Sequence, residues 1–181
     1  SCREIRDPSG SLFFVVYIFH GSLYDDSEGD TMKTFLEYVT EAAAGVYAAY
    51  HIAPETKAAM AKFVKDLGIK NPSDPASLHI TTVYSTKPIQ YKPSKKALTV
   101  KPVGYALFGH PDKVLVLKVE HPTLHERFKV AKDAGATWDY PNYQPHITLA
   151  TSVDPDLDIS KLPLPDFVLD TGPEYTEALA S

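Results

Sequence analysis

Apolar positions along this chain fall mostly into short alternating or continuous runs, with helical periods between them. Residues 12–19, LFFVVYIF, form a β-rich run, and the Gly- and Ser-containing acidic stretch GSLYDDSEGD after it reads as a linker. Phe35, Leu36, Tyr38, Val39 and Ala43 trace a short helical stripe, and GVYAAYHIA (45–53) reads as extended. Pro54 then opens a helix, with Glu55 in its first turn and Met60, Phe63, Val64 and Leu67 on one face. Gly68 sits where a C-cap is wanted. LHITTVYS (78–85) is β-branched and aromatic, hence a strand, and the Pro- and Lys-rich 86–96 is a connector.

The same order then recurs. Residues 97–109 read as a strand with an irregularity around Pro102 and Gly104, and 113–120 as an alternating strand. Residues 121–135 read as a helix carrying Leu124, Phe128 and Ala131 and ending at Gly135. A turn with Trp138, Tyr140 and Tyr143 leads into the strand PHITLATS, followed by a loop (153–165), a strand at 167–171 and a tail. Strand, helix, strand thus appears twice, which predicts an α+β domain of two lobes related by a pseudo-twofold. Residues 1–31 read as an extension or linker before a domain that begins at Met32 and spans 32–181, or else as an extra edge strand.

Bulk properties narrow the classes. The formal charge is −5, from 18 basic and 23 acidic residues, which argues against a protein that coats long nucleic acid. The single cysteine, Cys2, leaves no intrachain disulfide and no cysteine-based zinc site, in keeping with a reducing compartment. No run approaches the roughly 18 apolar residues of a membrane helix. Arg3, Glu4, Arg6 and Asp7 cancel in charge, so a secretory n-region is missing. Eleven tyrosines against one tryptophan suit wet binding surfaces as well as cores.

Chemistry concentrates in one repeated tripeptide. His-Ile-Thr occurs at His79 and again at His146, each followed by a serine six positions after the histidine, Ser85 and Ser152. In a strand, residues i and i+2 share a face, so His79 projects with Thr81 and His146 with Thr148. Imidazole titrates near neutrality and acts as base or acid; threonine hydroxyls donate to phosphate oxygens that gather charge in the transition state. One His-x-Thr on a strand is ordinarily structural. Two in corresponding places of a repeated order point to a shared role, and phosphodiester cleavage without a metal fits it. A zinc site would need a third ligand at suitable spacing, and none stands near. His51, His110, His121 and His125 read as structural or surface residues.

HITTVYS and YQPHITLA resemble the 2H phosphoesterase superfamily, with the likeness covering about 45–175. That resemblance implies a bilobal α+β fold, two antiparallel sheets with helices around a central cleft. It also implies an active site of His79, Thr81, His146 and Thr148 that needs no metal or other cofactor. Within the superfamily, the Tyr-rich first strand and acidic C-terminal tail look most like the phage anti-CBASS protein 1 family. Members cleave the 3′–5′ bonds of cyclic di- and trinucleotide alarm signals in the cytoplasm of the infected bacterium. By the same resemblance Tyr47 and Glu174 hold nucleobases, with Phe108 as a second aromatic contact. Lys113, Lys118 and Arg127 are cations available to balance phosphate charge. The expected partner is a cyclic oligonucleotide, with no long nucleic acid and no membrane. Two alternatives stay open: a 2H enzyme acting on RNA 2′,3′-cyclic phosphates, and a sponge that binds cyclic nucleotides without cutting them.

Overall fold

The computed structural model describes residues 2–6, 12–16 and 44–179. Contacts divide the chain into Ser1–Lys33 and Thr34–Ser181. In the first unit β1 (Cys2–Arg6) and β2 (Leu12–Val16) form an antiparallel pair, with Cys2 opposite Val16 and Arg6 opposite Leu12. The linker read at 21–30 and the helical stripe at 35–43 lie outside the described residues.

The second unit runs β3 (Gly45–Ile52), α1 (Pro54–Asp66), β4 (His79–Ser85), β5 (Thr99–Phe108), β6 (Lys113–Glu120), α2 (Pro122–Asp133), β7 (His146–Val153) and β8 (Leu169–Leu179). Helix α1 starts at Pro54, whose fixed φ suits a first helical position and whose missing N–H costs nothing there. Glu55 and Lys65 complement the helix dipole at its two ends, and Gly68, at φ 68°, turns the chain away in the left-handed region. Thr56, Met60 and Val64 face inward. Helix α2 is capped by His121, whose Nδ1 accepts from the Thr123 N–H at 3.0 Å, so this histidine is structural as expected.

All six strands of this unit pair antiparallel, in the order β4-β3-β8-β5-β6-β7. The order is symmetric about its middle: β3-α1-β4 on one side answers β6-α2-β7 on the other. The resemblance implied two sheets, whereas the strands form one order of two three-stranded halves. The halves join through two ladder pairs, Thr99 with Asp170 and Val100 with Leu169, extended by Thr171 N–H donating to Leu98 O at 2.8 Å. Past that join the edge of β8 is taken up by the connector instead, with Glu174 N–H donating to Ser94 O at 2.9 Å.

The helices interlock the halves. Met60 and Val64 of α1 share a buried cluster with Leu78 and with Leu149 of β7. The chain after α1 is bonded to the same strand, Ser73 N–H to Leu149 O at 2.8 Å and Thr151 N–H to Asn71 O at 3.1 Å. Conversely Ala131 of α2 packs with Val83 of β4 and Ala48 of β3. Each His-strand is therefore backed by contacts from the opposite half, and β4 and β7, last at either end of the strand order, touch each other.

One strand is longer than its pattern suggested. Sequence placed a strand at 167–171 and a tail after Gly172–Pro173, yet β8 continues to Leu179. Thr171 pairs with Ile52 and Glu174 with Tyr50, so three steps along β8 oppose two along β3. Gly172 and Pro173 are absorbed in this bulge, where proline's missing N–H costs no ladder bond. The irregularity expected in 97–109 is likewise a bulge, between Pro102 and Gly104.

Candidate active site

His79 and His146 are each the first residue of their strand, and each is half-buried. Their surroundings match. His79 Nδ1 lies 2.6 Å from Ser77 O, and His146 Nδ1 lies 2.7 Å from Gln144 O. A carbonyl can only accept, so Nδ1 carries the hydrogen in both rings. Each neutral imidazole is thereby held in one tautomer, with Nε2 left as the atom that takes or gives a proton. Burial lowers the His146 pKa below the ordinary imidazole value; the Gln144 carbonyl opposes that shift and the charge of nearby His79 adds to it. The two rings thus sense each other electrostatically although 67 residues (146 − 79) separate them in the chain.

Aromatic rings stand edge-on to both histidines. Tyr47 is 6.1 Å from His79 at 80°, and Phe108 is 5.1 Å from His146 at 85° between ring planes. The Tyr47 hydroxyl lies 3.0 Å from Thr81 Oγ1. Burial, foremost, pushes the Tyr47 phenol up to about 12, so at neutral pH it keeps its proton and can donate to Thr81. Thr81 can then turn its own hydrogen elsewhere. Its carbonyl accepts from the Tyr143 hydroxyl at 2.9 Å, and Tyr143 stacks on Phe128 of α2 at 4.6 Å. The aromatic turn before β7 therefore braces β4.

Strand register assigns the remaining residues to faces, because directly opposed residues point the same way. His51 opposes His79 and Ala49 opposes Thr81; Tyr175 opposes Ala49 and Glu177 opposes Tyr47. In the other half Lys118 opposes His146, Val116 opposes Thr148, and Gly104, Ala106 and Phe108 continue that face on β5. The alternate residues, among them Tyr50, Ile80, Tyr105, Leu117 and Ile147, form the core under the helices.

This pattern, two His-x-Thr pairs in mirrored settings on one strand face, coincides with the comparisons. Residues 44–181 match the family model described as "Anti-CBASS protein Acb1". The chain belongs to the anti-CBASS protein Acb1 family.

Members of the family from three phages illustrate the relation. The protein of Escherichia phage RB16 is 36% identical over 125 residues, 66% of this chain and 70% of that one. That of Acinetobacter phage Ac42 is 31% identical over 145 residues, 75% and 91%. That of Enterobacteria phage T4 is 32% identical over 126 residues, 68% and 80%. Among solved structures, apo LigT of E. coli, a 2H phosphoesterase, superposes with a TM-score of 0.53 at 14% identity, covering 75% of this chain and 87% of LigT. The fold is thus that of the 2H phosphoesterases.

Glu174, expected to hold a nucleobase, is buried between β4, the connector and α2, its side chain 0% exposed. Its Oε1 accepts from Thr82 Oγ1 at 2.6 Å and Tyr91 OH at 2.7 Å; its Oε2 accepts from Ser94 N–H at 2.8 Å and Arg127 Nε at 3.0 Å. Four donors occupy the carboxylate, and none of its capacity is turned toward an open surface. Glu177, on the alternate face and opposite Tyr47, is the carboxylate that register sets beside the aromatic pair. Sequence inspection passed it over, since GPEYTEAL offers two acids three apart and the bulge that fixes their phase is invisible in the letters.

The three candidate cations also separate. Arg127 is bound to Glu174 and to Lys92 O, and lies over the Tyr91 ring at 4.5 Å. Lys113 falls on the strand face opposite to that of Lys118. Lys118 alone shares the face of His146. His51 stacks on Tyr175 at 4.0 Å, and His125 pairs with Glu120 at 2.7 Å. Among the described residues no three His, Cys, Asp or Glu side chains gather as a metal-binding group, and no helix is long and apolar enough to cross a membrane.

Proposed function

We propose that the protein is a phosphodiesterase that cleaves 3′–5′ bonds in cyclic oligonucleotides and so blunts the CBASS alarm in the host cytoplasm. The observation that carries this reading is the mirrored pair of locked imidazoles, each beside a threonine hydroxyl on the same face. Anti-CBASS relatives covering most of the chain support the biological role, and the LigT-like fold supports the arrangement of a cleft between two lobes.

The chemistry follows from the tautomers. His146, held neutral by burial, takes the proton of a ribose 2′-hydroxyl at Nε2 as that oxygen attacks the adjacent phosphorus. The P–O5′ bond breaks, and protonated His79 gives its Nε2 proton to the departing O5′. The products are a 2′,3′-cyclic phosphate and a free 5′-hydroxyl. In a following hydrolysis water replaces the 2′-oxygen and the histidines exchange roles. Thr81 and Thr148 donate to the non-bridging oxygens, with Tyr47 orienting Thr81. Tyr47 and Glu177 supply a ring and a carboxylate for one base, and Phe108 a ring for another. Glu174 has a structural part in this reading.

Chromatography of a cyclic dinucleotide and a cyclic trinucleotide after incubation in EDTA tests it. Linear products from the wild type and none from His79→Ala/His146→Ala are expected. Ligand bound but recovered intact identifies a sponge, and preferential cutting of RNA 2′,3′-cyclic phosphate ends identifies an RNA-processing enzyme; either result overturns the proposal.

A further inference from the structure

We propose that Lys118 anchors a second phosphate of the substrate, next to the one being cut. This rests on the cyclic-oligonucleotide reading above, because only a ligand with more than one phosphate calls for such a position. Register is the first observation. Lys118 stands directly across the ladder from His146, where opposed Cβ atoms are about 4.5–5.5 Å apart. The second is the space around it. Its neighbour on the other side is Gly104, and Lys118 Cε passes 3.7 Å from where a Gly104 Cβ would sit. The lysine stem therefore lies over the space that a side chain at 104 would occupy.

The third observation is charge. Lys118 is half-buried on β6, yet its ammonium has no ion-pair or hydrogen-bond partner among the described residues, whereas Lys62, Lys129 and Lys161 pair with Asp66, Asp133 and Asp158. An ammonium without a counter-ion, carried on a stem that lies along the strand face, is free to pair with an anion. In a protein of net charge −5, a polyanionic ligand needs such a local cation.

The pseudo-twofold sharpens the point. The position matching Lys118 in the other half is His51, across from His79, and its ring is engaged in the stack on Tyr175. Of these two matched positions, only the one across from His146 carries a permanent positive charge. With the scissile phosphate between the two Nε2 atoms, the next phosphate of the ring is drawn to the Lys118 side, which sets the direction in which the ring lies.

The test compares wild type, Lys118→Gln and Lys118→Arg on cyclic di-AMP, which has two phosphates, and on the linear dinucleoside monophosphate ApA, which has one. Removing the charge is expected to raise KM for cyclic di-AMP about 10-fold or more, the usual worth of a charge-assisted hydrogen bond, with kcat changed less than about twofold. The slope of log kcat/KM against log salt should become shallower by roughly 0.7, one phosphate's share. ApA should be unaffected, and Lys118→Arg should restore the KM. Equal losses on both ligands would place Lys118 at the scissile phosphate or in folding and overturn the inference. Wild type and Lys118→Gln indistinguishable on cyclic di-AMP would overturn this inference alone. Wild type that neither binds nor cuts cyclic di-AMP or a cyclic trinucleotide would overturn the functional reading as well.

Discussion

Replacing Glu174 by glutamine separates two roles for this residue. The carboxylate holds Thr82 of β4, Tyr91 and Ser94 of the connector, and Arg127 of α2, so one side chain ties three segments to β8. Glutamine keeps the volume and one acceptor oxygen. That oxygen can still serve Thr82 and Tyr91, but Ser94 N–H and Arg127 Nε then meet an amide that also donates. Breaking a buried ion pair from one side costs about 3–5 kcal/mol. The Arg127 side chain is 18% exposed and can recruit some water, so the lower end, about 3 kcal/mol, is expected. For a domain of this size that lowers Tm by about 10 °C. Urea unfolding and thermal melts read it directly. Adding Arg127→Met should cost less than a second full penalty, because the stranded cation leaves with it. Glu177→Gln is the control, exposed and expected to stay within about 0.5 kcal/mol of wild type while weakening substrate binding. A Glu174→Gln protein that melts like wild type but has lost affinity for cyclic nucleotide would refute the burial argument and return Glu174 to the ligand.

Further outcomes follow from the same geometry. Either His79→Ala or His146→Ala should cost about 10²- to 10⁴-fold in kcat, and the double variant should be little worse than one alone, as single-turnover kinetics would reveal. In an NMR titration His146 should hold its neutral form to lower pH than a free imidazole. In His79→Ala its pKa should rise, because a neighbouring cation is gone, yet stay below the ordinary value because burial persists. With the folded value depressed, this group's share of stability is complete above the unfolded imidazole pKa and is lost as pH falls through the folded one. Tyr47→Phe removes the hydroxyl that orients Thr81 and should lower kcat about fivefold, the worth of one neutral hydrogen bond, with the fold retained by circular dichroism.

Much of the site was legible in the letters because strand periodicity is local. A period of two puts His79 with Thr81 and His146 with Thr148 on one face, whatever the rest of the chain does. The helix at Pro54–Asp66 was legible for the same reason, from a proline, a stripe and a terminal glycine. The doubled strand-helix-strand order also lies in the sequence, and with it the symmetric arrangement of the six strands.

What tertiary structure alone decided depends on register and on contacts between distant strands. Glu174 and Glu177 are three residues apart and necessarily face opposite sides of β8. Which one shares the face of Tyr47 turns on the Gly172–Pro173 bulge, and a shift of one residue would exchange them. The pairing of Lys118 with His146 and of His51 with His79 is a property of ladders between segments, not of either segment. The meeting of β4 with β7, five places apart in strand order, comes from packing across the whole unit, with each helix backing the other half's His-strand. Local propensity carries no information about such long-range closure, because the free energy that selects it is spread over the buried faces that meet only in the folded chain.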